Sequence, residues 1–111
     1  MAFDADLADR IRELLGTDVR ITEQRMFGGL AFLVDGHMAV AASGRGGLMV
    51  RVDPADADAL LARTSAEPME MGGRQMRGWL RVPTDDVRTK RQLTPWVRRG
   101  VTYAGALPPK G

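Results

Sequence analysis

The 111-residue sequence contains no cysteine. That absence excludes a disulfide framework, a thiol nucleophile, and any zinc-finger or iron–sulfur site built on this chain. Histidine is nearly as scarce, with His37 alone. A metal site around His37 would need further ligands, and the carboxylates lie mostly in helix caps and turns. As a general base it lacks a serine or threonine placed by motif to act as nucleophile. No cofactor, metal or catalytic residue is therefore expected. Long apolar runs are missing too: no stretch approaches the roughly 18 residues of a membrane span. The first residues, MAFDADLADRIRELL, carry acids where a signal peptide carries bases. These absences predict a cytoplasmic protein without membrane contact.

The length suits one domain spanning residues 1–111, with a frayed tail from about 108. A hydrophobic content of 44% beside 27% charged residues is enough for one ordinary core. Charge is unevenly placed. Residues 1–70 hold seven Arg against twelve Asp and Glu, a balance of −5, whereas residues 71–111 hold nine Lys and Arg against two acids, a balance of +7. Such polarity suits nucleic acid, an acidic partner or a second copy, and it also suits a simply solvated basic helix.

Phe3, Leu7, Ile11, Leu14 and Leu15 recur at helical spacing, and Gly16 is a natural stop. Val19 and Ile21 then alternate with polar residues as a short strand leading to Met26 and Phe27. Asp35-Gly36 between two apolar runs is a strong hairpin signal, because a type I′ turn needs positive φ at both central positions. A two-residue loop pairs Val34 with His37, Leu33 with Met38, Phe32 with Ala39 and Ala31 with Val40. In that register both sheet faces are apolar, which predicts cover on both sides, either by helices or by helices and a second subunit. Asp53-Pro54 caps a second helix. The segment Glu67 to Gly73 reads as irregular, and MRGWLRVP as a strand in which Trp79 is the heaviest apolar residue. Thr84-Asp85-Asp86 and Thr94-Pro95 predict a short helical turn and then a longer helix, whose Leu93, Trp96, Val97, Gly100, Val101 and Ala104 form one apolar stripe.

Three segments are candidates for function. Ser43-Gly44-Arg45-Gly46-Gly47 could cradle a phosphate on successive N–H groups, but it lacks the lysine and hydroxyl of a P-loop and joins two strands. In Arg25-Met26-Phe27-Gly28-Gly29, two large side chains anchor a strand end and two glycines permit a bulge or a close backbone approach. Arg88, Lys90, Arg91, Arg98 and Arg99 form a basic surface for a partner or for nucleic acid. The aromatic residues near it are Trp79, Trp96 and Tyr103, and buried tryptophans would leave no platform for stacking bases.

The Arg25–Gly29 motif, the apolar hairpin, LMVRVDP, GWLRVP and a Trp96-Val97 helix ending near Leu107-Pro108 together resemble the N-terminal domain of TfoX/Sxy-type competence regulators. The resemblance implies an α+β fold: an antiparallel sheet, here of about four to five strands, flanked by helices, with the N-terminal helix first and the C-terminal helix last. It also implies a homodimer and a transcription-regulatory protein partner. Full-length members help switch on DNA-uptake genes in concert with a cyclic-AMP receptor protein and carry a second, C-terminal domain. This sequence is expected to be a single-domain member, and the family supplies no catalytic residues to carry over. The residues and the resemblance together predict a non-enzymatic interaction module acting through protein contacts. The alternatives are a nucleic-acid-binding accessory protein and an enzyme handling small anions at Gly44 to Gly47.

Overall fold

The computed structural model describes residues 4–26, 28–71 and 73–108, so Phe3, Phe27 and the tail beyond Pro108 lie outside it. Asp4 caps α1 (Ala5–Leu15), its carboxylate accepting from the Leu7 N–H at 3.1 Å. The helix buries Leu7, Ala8 and Ile11 and ends at Gly16, where the spacing places its end. On its outer side Arg12 donates to both carboxylate oxygens of Glu23, at 2.7 and 2.8 Å. Those hydrogen bonds hold the Glu23 carboxyl below its ordinary range.

Six strands form one sheet: β1 (Ile21–Met26), β2 (Gly29–Val34), β3 (His37–Ala42), β4 (Leu48–Arg51), β5 (Glu67–Met71) and β6 (Arg74–Val82). All pairings are antiparallel, in the order β1-β2-β3-β4-β6-β5. The count exceeds the expected four to five because Glu67 to Met71, read as irregular, pairs with the strand that follows it. β1 begins at Ile21, two residues after Val19, and runs to Met26 against Gly29, where the alternation leads it. α2 (Pro54–Arg63) joins β4 to β5 behind an Asp53 cap, and α3 (Lys90–Ala106) closes the chain after a short helical turn at Thr84–Asp86. The expected start of α3 near Thr94 is four residues late. Thr89 and Gln92 form a reciprocal capping box, each accepting at 3.1 Å from the other's backbone N–H. Pro95 then sits inside the helix.

Asp35 and Gly36 have φ of 51° and 87°, and Val34 pairs with His37, as a two-residue turn requires. The expected register fails two pairs later. Phe32 pairs with Val40, Ala31 with Ala41 and Leu30 with Ala42, so Ala39 is the extra residue of a bulge. The cause lies in α3. Ala39 is buried with Val34 and Ala104, and at Gly100 the helix backbone comes so close that a Cβ would stand 2.5 Å from the Ala39 carbonyl oxygen.

With the bulge in place, Leu30, Phe32, Val40, Ala42, Leu48, Val50, Leu80 and Val82 face one way. They form a single core with Leu7 and Ile11 of α1, Ala57 of α2, and Leu93, Trp96 and Val97 of α3. Burying each large side chain is worth about 1.5–3 kcal/mol, which is ample to place all three helices on this face. No helix among the described residues covers the second face. Arg10 ties α1 to the segment before α3, donating from Nη1 to the Val87 carbonyl at 2.6 Å and to the Arg88 carbonyl at 3.0 Å. No helix among the described residues is long and apolar enough to cross a membrane.

Candidate interaction surfaces

The register that turns Phe32 and Val40 inward turns Thr22, Gln24, Ala31, Leu33, Met38, Ala41 and Met49 outward on the helix-free face. Ala31 and Ala41 are buried nonetheless, while Leu33, Met38 and Met49 are half-buried. The alanines are short, and their longer neighbours shield them. β5 extends this surface into the wall of a cavity of about 770 Å³, where Met26, Met38, Met49 and Met69 stand among Ser43, Arg45, Glu67, Glu70 and Arg81. Methionine side chains are flexible and polarizable, so the apolar part of this lining can change shape.

Arg81 also explains the glycine-rich loop. Its Nη2 donates to the carbonyls of Arg45 and Gly46, both at 3.0 Å, and its Nε is buried without a protein partner among the described residues. Inside the loop the Gly46 N–H donates to the Ser43 carbonyl, the Arg45 N–H to the Ser43 hydroxyl, and the Ser43 N–H to the Gly47 carbonyl. The amides of Ser43, Arg45 and Gly46 are thus taken up within the loop, and the carbonyls of Arg45 and Gly46 face a guanidinium. Gly29 of the Arg25–Gly29 motif has a packing role: a Cβ there would stand 2.5 Å from the Ala42 carbonyl oxygen.

The basic residues of the C-terminal region divide. Arg88 pairs with Asp85 at 2.6 Å. Lys90, Arg91 and Arg98 are exposed on α3 and make no ion pair among the described residues. Arg91 and Arg98 are seven residues apart, two helical turns, and so lie on nearly one line. The Arg99 guanidinium stacks over Trp96 at 5.0 Å from the ring centroid. Trp96 is buried, but Trp79 is only half-buried, with the Arg51 guanidinium 5.3 Å from its ring and 5.5 Å from that of Tyr103. Arg98 and Arg99 also line a cleft of about 590 Å³ between α2 and α3, where Arg63 joins them. Arg63 escaped the sequence reading because it comes from another helix. Its only signal was its spacing seven residues after Asp56, which places both on one face of α2. His37 lies far from any such cluster in role: its Nε2 is 2.6 Å from the Pro108 carbonyl oxygen and so tethers the chain end to the hairpin.

The family model described as the TfoX N-terminal domain matches residues 13–104, from within α1 nearly to the end of α3. A search of curated proteins returned no match.

Proposed function

The chain belongs to the TfoX N-terminal domain family, and from that premise we propose that it is a non-enzymatic regulatory module that acts through protein contacts as a homodimer. The observation that carries this reading is the helix-free sheet face, where Leu33, Met38 and Met49 remain half-buried above a floor of Ala31 and Ala41. Thr22 and Gln24 give that patch a polar border, the pattern of an apolar interface core with a polar rim. The family supports the regulatory part, since its full-length members are transcriptional regulators of DNA uptake. Sedimentation at micromolar concentration tests the reading. A dimer that Met38→Glu converts to a monomer is the expected result; a wild-type monomer under the same conditions would overturn the dimer.

Nucleic-acid binding is the second reading, and one observation favours it: Lys90, Arg91 and Arg98 are exposed and make no ion pair among the described residues. It requires affinity for duplex DNA that falls steeply with salt. No binding in low salt would end it.

A further inference from the structure

The cleft between α2 and α3 lies outside the sheet face and does not depend on the dimer. From α2 it receives Asp53, Asp56, Leu60 and Arg63, spaced three or four residues apart, so one line on the helix runs from acid through apolar to base. From α3 it receives Arg98 and Arg99, then Thr102 and Tyr103 one turn later. Arg63, Arg98 and Arg99 have no carboxylate within 4.0 Å among the described residues. Three arginines thus share one concavity with two aspartates that stand beyond ion-pair distance, so the arginine end keeps a net positive charge that an incoming carboxylate offsets.

Several features define what fits. Guanidinium groups offer planar, paired donors that match carboxylates. Arg99 is already held against Trp96, so less side-chain freedom is lost when it binds. Val52, Ala59 and Leu60 give the cleft an apolar lining for an aliphatic side chain. Asp53 and Asp56 stand on the same wall and confine incoming acidic groups to the arginine end of the cleft. We infer that this cleft docks a segment of a partner protein in which acidic and aliphatic residues alternate, with its carboxylates on Arg63, Arg98 and Arg99.

The test uses the full chain and a fluorescent peptide of alternating glutamate and leucine, followed by anisotropy and by amide chemical shifts. Binding should perturb α2 and α3 near Arg63 and Thr102 and leave the sheet amides unmoved. Arg63→Glu and Arg98→Glu should each weaken it roughly tenfold or more. A lysine–leucine peptide should bind the doubly reversed protein better than the wild type, which a merely unfolded variant could not produce. Met38→Glu should leave peptide binding intact, so failure of the dimer and failure of the cleft are separate results. The inference is overturned if the acidic peptide binds wild type and charge-reversed protein alike, if it does not bind, or if duplex DNA occupies the same amides more tightly.

Discussion

Gly100 is the residue on which the packing of α3 against β3 turns. It is one of the buried positions of the helix, and a Cβ there would meet the Ala39 carbonyl oxygen at 2.5 Å and Val40 Cγ1 at 2.9 Å. Neither neighbour can yield easily, because one is backbone and the other belongs to the core. Gly100→Ala should therefore destabilise the fold by about 1–3 kcal/mol in urea unfolding, the usual cost of overpacking. Gly105, in the same helix, provides the contrast. Its added Cβ would find nothing nearer than Val34 Cγ1 at 3.6 Å, an ordinary contact. There the helix preference of alanine prevails, and Gly105→Ala should stabilise by about 0.5 kcal/mol. The same substitution five residues apart should thus change sign, which separates close approach from helix propensity.

At the level of elements, the sequence was legible where the signal was local. Asp35-Gly36 marked its turn, Asp53-Pro54 its cap and Gly16 its stop. The bulge at Ala39 was not legible, because residues 38–42 are all apolar and alternation could not choose between two registers. What chose was α3, sixty residues away. β5 was missed for a similar reason: Pro68 and its irregular pairing hide a strand that exists only against β6. The candidate surfaces divide in the same way. Arg98 and Arg99 could be read from one helix, Arg88 is neutralised locally by Asp85, and Arg63 joins the cleft only through tertiary packing. Contact between elements also sets a pH response. Arg12 holds the Glu23 carboxyl below its ordinary value of 4.5, chiefly through its hydrogen bonds. A depressed acid stabilises the fold above its ordinary value, and that contribution is lost as pH falls through the folded one. Glu23→Gln should lower stability at neutral pH by less than about 1 kcal/mol, since the pair is exposed. Thermal melts of both proteins should converge as pH falls below the ordinary value.

For the whole molecule the decisive fact is that, among the described residues, three helices pack on one face of a six-stranded sheet and none covers the other. If a second copy supplies that cover, folding and association are one equilibrium, and the melting temperature depends on protein concentration. The size of the effect follows from the chain. A tenfold rise in concentration is worth about 1.4 kcal/mol per dimer. Unfolding two chains of this length releases roughly 0.5 kcal/mol per kelvin of entropy. The melting temperature should therefore rise by roughly 3 °C per tenfold in concentration. Calorimetry over a hundredfold range resolves such a slope. Met38→Glu places a charge in the middle of the proposed interface and should flatten it, whereas Arg98→Glu, on the helical side, should leave it unchanged. A flat response in the wild type would overturn the second copy as the cover of that face.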